Sequence, residues 1–453
     1  MASTRSRAGL PRAFLASATV AILLLPAFAR AGAQRPCTRP SVYRSAAVNT
    51  FVLPYRYDGV GPSLDLDRAS RQISALVHLE ILFSILKYGA VGGTDLVAVP
   101  GHPCDVGEVI GEVTRSGGTG SLEEGQTLVV VWGRIFGQGD QLYLQTYVRF
   151  MRQGKAEPVL ESLTARLKED GTTLDLVGRL PSQATAFPSR RISRADLAAI
   201  DRKFREAMVV RKEKRLDAPG ISIAFDYDRD FPYYVTRSDG DWIYIKPMKG
   251  GPEGWVLARA GGDGPDSFSL ARWLPELAYI DAIAGFMRLK AAETPRFSAS
   301  TQELRRYSAA VGSGFDRFER TTTAAEAPSA FGLARAVRGF VLWSDEGAGD
   351  RSSAARLFSE SASLMPDYAG ARNLAAITRP FLAGSPMLDA PIAARLNGDL
   401  LAAIALDPRD PVVLGNLDRL YRMYQARPGL SPYPAPDVAS RIAALAVARK
   451  GAP

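Results

Sequence analysis

The sequence contains few of the residues that carry enzyme chemistry, with 2 cysteines and 2 histidines in 453 residues. His78 and His102 have no acidic ligand set beside them, which argues against a zinc site. His102 and Cys104 share a Gly-His-Pro-Cys loop, where a loop histidine is the simpler interpretation and a metal or thiol pair the alternative. Serine-hydrolase, phosphate-loop and metalloprotease motifs are absent. We therefore predict no enzyme activity, no cofactor and no metal.

Long apolar runs are also missing, except near the N-terminus. There, three arginines precede the apolar run Phe14–Phe28, and Ala31-Gly32-Ala33 follows as a small-residue cleavage site. This order predicts a secretory signal peptide over residues 1–33, cleaved after Ala33. The run is short for a membrane span of ~20 residues, so an uncleaved anchor is the alternative. We expect a periplasmic or secreted protein with no transmembrane segment after cleavage.

The net charge is positive but small once this segment is removed. The formal charge is +9, and residues 1–33 hold four arginines and no acid, which leaves +5 for the mature chain. A dispersed charge of this size does not indicate a nucleic-acid partner. It is compatible with loose attraction to an anionic envelope polymer.

The two cysteines, Cys37 and Cys104, are candidates for a disulfide, because an oxidising compartment favours pairing of a lone pair of thiols. Two free buried thiols are the alternative. Cys37 does not fit a lipoprotein cysteine, because Gln34-Arg35-Pro36 before it is neither small nor apolar.

Residues 45–180 show the pattern of an α/β domain. Apolar periodicity predicts strand, helix, strand, short helix and two hairpins in that order. The expected elements are a strand at Asn49–Pro54, a helix at Leu64–Tyr88, a strand at Asp95–Val99, a helix at Asp105–Val113, and hairpins at Thr127–Phe136 with Gln141–Phe150 and at Val159–Leu167 with Thr173–Leu180.

Three short motifs in this region resemble the amino-terminal α/β domain of Tol-system periplasmic propeller proteins and its relatives in curli secretion. They are Phe51-Val52-Leu53-Pro54, Asp105-Val106-Gly107-Glu108-Val109-Ile110-Gly111 and Val131-Trp132-Gly133-Arg134-Ile135. The resemblance implies an assembly or docking module and not a catalyst.

A small β module is expected over residues 192–260, after a linker at Pro181–Arg191 and a short helix capped by Ser193. Trp242 and Gly254-Trp255-Val256 resemble the hairpin of bacterial SH3 (SH3b) domains, and Val210-Arg211 resembles their opening strand. The resemblance implies a small barrel that binds cell-wall peptides or proteins.

The resemblance also implies a ligand-binding face made of surface aromatic residues. Tyr233, Tyr234 and Tyr244 are the candidates for that face, with ordinary packing as the alternative. We expect Trp242 and Trp255 to form the core of the barrel.

Residues 267–450 are rich in alanine, leucine and arginine and read as helical. Two stretches resemble tetratricopeptide repeats, and a plain helical bundle is the alternative. The matching positions are Ala354, Phe358, Leu364 and Pro366, then Leu396, Leu400, Ala403, Leu406 and Pro408, followed by Leu414, Leu417 and Tyr421; an insertion is needed near Phe381–Pro391. Such arrays present concave surfaces to partner proteins.

Together these patterns predict a multi-domain α+β protein with an α/β sheet domain, a small SH3-like barrel and a helical-repeat domain. We expect a non-enzymatic scaffold or adaptor of a Gram-negative type cell envelope that binds other envelope proteins. A peptidoglycan-binding module acting through the barrel is the alternative. An enzyme with an unrecognised carboxylate pair is a third hypothesis, although Glu123-Glu124 and Glu169-Asp170 lie in expected turns and look solvated.

Overall fold

The computed structural model describes most of the chain from residue 42 onward. The described residues are 42–58, 69–70, 72–74, 77–78, 81, 92–96, 106–114, 122–138, 141–152, 159–169, 171–193, 195–198, 209–222, 233–239, 242–247, 250–257, 274–344, 350–383, 387–426 and 439–444. The expected signal peptide and both cysteines, Cys37 and Cys104, lie outside them, as does His102. The fold is mixed α+β, with sheets in the N-terminal part and helices in the C-terminal part.

Nine described strands form the larger sheet, whose main order is β3-β1-β4-β5-β6-β7. Their bounds are β1 Val48–Val52, β2 Arg56–Asp58, β3 Gly92–Leu96, β4 Thr127–Gln138, β5 Gln141–Arg152, β6 Val159–Glu169, β7 Thr172–Pro181, β8 Ala184–Ala186 and β9 Arg190–Ile192.

Strand β1 lies at the centre of the parallel part of this sheet. It pairs in parallel with β3 on one side and with β4 on the other. The described residues between 69 and 81 are helical, and helix α1, Val106–Thr114, precedes β4. Parallel neighbours require such crossovers, so the expected order of strand, helix, strand, short helix and hairpin is confirmed. The second strand begins at Gly92, earlier than the expected Asp95.

Both expected hairpins are confirmed. Strands β4 and β5 pair from Thr127 with Arg152 to Gln138 with Gln141, so they extend further into the turn than the sequence indicated. Strands β6 and β7 pair around Gly171, whose φ of 81° is a conformation that glycine tolerates best.

The expected linker over residues 181–191 was wrong. This segment contains β8 and most of β9, and both strands pair antiparallel with β5. Phe187 between them is completely buried. The tripeptide Arg56–Asp58, which was not among the expected elements, forms strand β2 beside β4.

A second sheet contains five described strands in the order β11-β10-β14-β13-β12. They are β10 Val209–Arg211, β11 Gly220–Ser222, β12 Tyr233–Asp239, β13 Trp242–Pro247 and β14 Gly254–Leu257. All pairings given for this sheet are antiparallel. We call it the small sheet. The short helix before it spans the described residues 195–198, and the Ser193 hydroxyl accepts a hydrogen bond from the Asp196 amide, as the capping prediction required.

The C-terminal part consists of consecutive helices. In the described residues they include α2 Glu276–Ala291, α3 Thr301–Glu319, α4 Pro328–Ser344, α5 Arg351–Leu364, α6 Ala369–Thr378, α7 Ala390–Leu406 and α8 Pro411–Ala426, with 3₁₀ helices at Pro295–Phe297 and Arg379–Ala383. Each helix from α4 to α8 packs against the next one in the chain.

The positions expected from the repeat pattern lie mostly inside this helical packing. Ala354, Phe358, Leu400 and Ala403 are completely buried, whereas Leu406 is 38% exposed. The region near Phe381–Pro391, where the repeat interpretation expects an insertion, contains part of the 3₁₀ helix after α6 and a bridge between Met387 and Lys168 of β6.

One aromatic cluster joins the larger sheet to the helices. The Tyr279 ring of α2 lies 5.2 Å from Phe187 and 5.2 Å from Phe315 of α3, measured between ring centroids. Phe150 of β5 and Phe318 of α3 complete the contacts of this ring. Burying large rings in one cluster contributes strongly to stability, so the sheet and helices α2 and α3 share a core.

Among the described residues, no helix is both long enough and apolar enough to cross a membrane.

Candidate binding face of the small sheet

The two faces of the small sheet carry different side chains. Ile243, Ile245 and Val256 are completely buried, and Val210 is 3% exposed. Because successive residues of a strand point to opposite faces, the neighbours of these residues lie on the other side.

That other side carries the aromatic side chains Trp242, Tyr244 and Trp255, and all three are half-buried. The expectation that the two tryptophans form the core was therefore wrong, because the core positions are taken by the isoleucines and valines. Tyr244 and Trp255 lie directly opposite each other on paired strands. Their rings meet edge to face, with centroids 5.2 Å apart, and the Tyr244 hydroxyl donates to Glu253 Oε1 at 3.3 Å.

Two cationic side chains lie against these rings. The Arg211 guanidinium is 5.9 Å from the centroid of the Trp242 ring, and the Lys214 ammonium is 5.2 Å from that of Trp255. At such distances a cation is attracted by the electrons of the ring face. Lys214 also pairs with Asp239. We call Trp242, Tyr244, Trp255, Arg211 and Lys214 the aromatic–cationic face.

Local backbone geometry fixes Arg211 under this face. Its guanidinium donates to the carbonyl of Val209 at 3.1 Å and to that of Leu216 at 3.3 Å, and the residue is only 8% exposed. Arg211 on β10 is paired with Trp255 on β14. The guanidinium is therefore held in place by its own strand and loop before any ligand arrives.

Gly254 allows β10 and β14 to approach each other. It has a φ of 156°, and a Cβ at this position would lie 2.4 Å from the Arg211 carbonyl oxygen. The glycine of the Gly-Trp-Val motif is therefore required by the neighbouring backbone, and not by the packing of the indole. In the segment before β14, Gly250 and Gly251 have positive φ angles of 46° and 144°.

The three tyrosines predicted as a ligand face are only partly placed. Tyr244 belongs to the aromatic–cationic face. Tyr233 and Tyr234 have their backbones on β12 opposite Pro247 and Lys246, while their side chains lie outside what the structure describes. Sequence reasoning missed Arg211 and Lys214 as members of the face. The run Lys212–Arg215 was the available signal, because cations beside a tryptophan-rich hairpin are candidates for stacking.

Buried carboxyl groups lie elsewhere, between the larger sheet and α2. Glu276 in the first turn of α2 is 1% exposed, and its Oε2 has no hydrogen-bond partner among the described residues. Burial raises its pKa to about 7, while a hydrogen bond from Thr146 and the charge of Arg190 offset part of that effect. A carboxyl sealed in this way is closed to a substrate in this conformation.

A second buried carboxyl, Glu161 on β6, lies among cations. Its Oε2 is 3.6 Å from Lys290 Nζ and 3.5 Å from Arg152 Nη1, and Lys290 also contacts Glu293 at 2.7 Å. Burial raises the pKa of Glu161, and the charge of Lys290 opposes that rise. This cluster joins the base of β6 to helix α2.

Of the two carboxylate pairs that the sequence singled out, Asp170 of the pair Glu169-Asp170 lies outside the described residues. Glu123 forms ion pairs with Arg44 at 3.8 Å and with Arg296. The Glu123 carboxylate is thus bound by two arginines and is less solvated than expected. Within the described part of the chain, no cluster of three or more His, Cys, Asp or Glu residues is arranged to hold a metal ion.

Comparisons with known proteins add no assignment: no family model matches the chain, and neither curated proteins nor solved structures gave a significant match.

Proposed function

We propose that this protein is a non-enzymatic, exported adaptor of the cell envelope, and that it binds a partner protein through the aromatic–cationic face. The observation that carries the proposal is the placement of Trp242, Tyr244 and Trp255 on the side of the small sheet opposite its core. Aromatic residues and arginine are the types most enriched where proteins bind each other.

The preorganisation of the face supports binding as its role. Arg211 is fixed by two backbone carbonyls, and the rings of Tyr244 and Trp255 brace each other. Side chains that are already ordered lose less conformational entropy when a ligand binds, so more of the contact energy remains as affinity.

The architecture suits an adaptor. We propose that the small sheet is an SH3-like barrel, in which edge strands β11 and β12 would come together to close it. The sequential packing of α4 to α8 supports a tetratricopeptide-like array, and the parallel strands β3, β1 and β4 support a Tol-type docking domain. Export rests on the basic and apolar segment at the N-terminus and its cleavage site after Ala33.

Peptidoglycan is the alternative ligand of the same face. Ring faces can stack on sugars, and Lys214 with the mild positive charge of the mature chain would attract an acidic polymer. Trp242, Tyr244, Trp255 and Lys214 would then contact a wall polymer in place of a protein.

The first test is a binding assay on the mature chain, Gln34–Pro453. A photo-reactive benzoylphenylalanine replaces Tyr244 in one protein and Tyr143, a half-buried tyrosine stacked on Phe136 of the larger sheet, in the control. We expect discrete protein adducts from position 244 in intact cells, lost when Lys214→Glu is added, and none from position 143.

Sedimentation with purified peptidoglycan tests the alternative. Wall binding predicts that the mature chain sediments, that Tyr244→Ala reduces the pelleted fraction, and that a chain lacking Glu206–Arg259 stays in solution. If the face gives neither protein adducts nor sedimentation, the proposed binding role is refuted.

A further inference from the structure

The β6–β7 hairpin, which we call the arm, makes little strand pairing with the rest of the larger sheet. In the described residues β6 pairs with β5 at one position, Val159 with Arg152. The remainder of that edge of β5 is occupied by β8 and β9. The arm therefore leaves the sheet at its base, and most of its length is held by something other than strand pairing with β5.

Helices α6 and α8 hold the arm along its outer edge, at β7. The Asn416 side chain of α8 accepts a hydrogen bond from the Val177 amide at 2.8 Å and donates to the Val177 carbonyl at 2.7 Å. Asn373 of α6 donates to the same carbonyl at 3.0 Å, and its Oδ1 accepts from Asn416 at 3.0 Å. Two side-chain amides thus bind the strand backbone as a further strand would.

The packing beside these amides depends on the shape of β7. Leu174, Leu176 and Leu180 are buried on alternate positions of the strand. Gly178 continues this row, and a Cβ there would lie 2.4 Å from Leu374 Cδ2 of α6. The helices therefore accept an extended segment with apolar residues at alternate positions and a glycine where α6 comes closest.

Contacts at the tip of the arm use main-chain groups. The Leu388 amide, just before α7, donates to the Lys168 carbonyl at 2.9 Å. Together with the asparagine contacts, this means that the helical part binds the backbone of the arm as well as its apolar side chains. Backbone recognition gives affinity to any strand of suitable shape, and side-chain pockets then select the sequence.

We propose that Asn373, Asn416 and the surface between α6 and α8 form a strand-binding site, which β7 fills within the same chain and which an extended segment of a partner protein fills when the arm is released. The partner segment carries the pattern of β7: leucine-like residues at alternate positions and a glycine in the same row. This site is separate from the aromatic–cationic face and does not depend on the proposed function.

The resident arm competes strongly because it is tethered. A short tether gives an effective concentration on the order of millimolar, so a free segment binds the wild-type chain weakly. A substitution that loosens the arm without touching the asparagines should raise the affinity for a free segment. Gly178→Ala is that substitution, because the added Cβ must displace Leu374 or the arm itself.

The probe is a fluorescent peptide with the sequence of residues 172–181, titrated into the full mature chain. We expect Gly178→Ala to bind it at least tenfold more tightly than wild type, and Asn416→Ala in the same chain to remove the gain. Gly398→Ala on α7, where a Cβ meets no atom within 4 Å, is the matched control and should behave as wild type. A peptide carrying alanine at the glycine position should bind at least tenfold more weakly.

Equal peptide affinity in wild type, Gly178→Ala and Gly178→Ala/Asn416→Ala would overturn the proposal. So would dimerisation of the Gly178→Ala chain in light scattering, because the arm of a second copy would then be the occupant. Hydrogen exchange on wild type decides the matter if Gly178→Ala does not fold. We expect the Val177 amide to exchange faster than the Val130 amide on central β4. If both amides exchange only when the whole protein unfolds, the arm is not releasable and the proposal is refuted.

Discussion

Burial of the Glu276 carboxyl should make the protein less stable as the pH rises from about 4.5 to 7. The carboxyl is 1% exposed and lies between the first turn of α2 and Thr146 of the larger sheet. Its pKa is raised from an ordinary 4.5 to about 7 because burial penalises the charged form. The Thr146 hydroxyl and the charge of Arg190 offset only part of the lost hydration.

The size of the effect follows from proton linkage. A difference of roughly 2.5 pKa units at about 1.4 kcal/mol per unit gives a loss of about 3 kcal/mol. Below pH ~4.5 the carboxyl is protonated in both states and costs nothing. Between about 4.5 and 7 the unfolded chain releases the proton while the folded chain keeps it, so the free energy of unfolding falls. Above about pH 7 the loss is complete.

The test substitution is Glu276→Gln, which keeps the shape and hydrogen-bonding capacity but cannot ionise. Urea unfolding followed by tryptophan fluorescence, repeated from pH 4.5 to 8, gives the free energy of unfolding for both chains. We expect the two curves to be close at pH 4.5 and to separate to about 3 kcal/mol in favour of the variant at pH 8.

The matched control is Glu303→Gln in the first turn of α3. Glu303 is exposed, and hydrogen bonds from Ser300 lower its pKa, so the charged form is the favoured one. This variant should be less stable than wild type at neutral pH. Its free energy of unfolding should not rise relative to that of wild type as the pH is raised. Parallel curves for wild type and Glu276→Gln would refute the account of Glu276.

Two further substitutions test close packing and buried charge. Gly133→Ala places a Cβ 2.0 Å from the Tyr55 ring, so we expect it to lower the free energy of unfolding in urea by about 3 kcal/mol. The control is Gly137→Ala on the same strand, where the nearest atom is 4.0 Å from the added Cβ, and its stability should be close to that of wild type. Lys290→Met leaves the buried Glu161 carboxylate with Arg152 as its remaining close cation and should cost about 3–5 kcal/mol at neutral pH. That loss should shrink as the pH falls, because a protonated carboxyl needs no cation; a loss that is constant from pH 4 to 8 would contradict it.

Periodicity predicted the regular elements well because their partners are local. The β4–β5 and β6–β7 hairpins alternate along both strands and are joined by tight turns, so pattern and pairing coincide. The Ser193 cap was predicted for the same reason, since its hydrogen bonds lie within one turn of chain.

The segment 181–191 was misread because its strand character comes from β5. Its prolines and small polar residues are typical of a linker, and neither β8 nor β9 exceeds three residues. Only the pairing with β5 makes them strands, and only the aromatic cluster around Tyr279 explains why Phe187 is buried. No local rule could supply a partner that lies elsewhere in the fold.

The burial of polar residues could not be predicted from the sequence for a related reason. Glu276, Lys290 and Asn416 are helix residues whose burial was not predicted, and each is at most 6% exposed. Their positions follow from the way the helices meet the larger sheet. In the case of Asn416, the side chain satisfies a strand edge that would otherwise present unpaired backbone groups to the helices.

The small sheet shows why the choice of face decides the functional interpretation. Both sides of β13 are apolar, with tryptophan and tyrosine alternating with isoleucine, so alternation alone could not tell core from surface. Since Ile243, Ile245 and Val256 fill the core, Tyr244 and Lys214 can be changed with little effect on the folding core. Loss of binding without loss of stability on changing these two residues is therefore the signature that separates a binding face from a structural one.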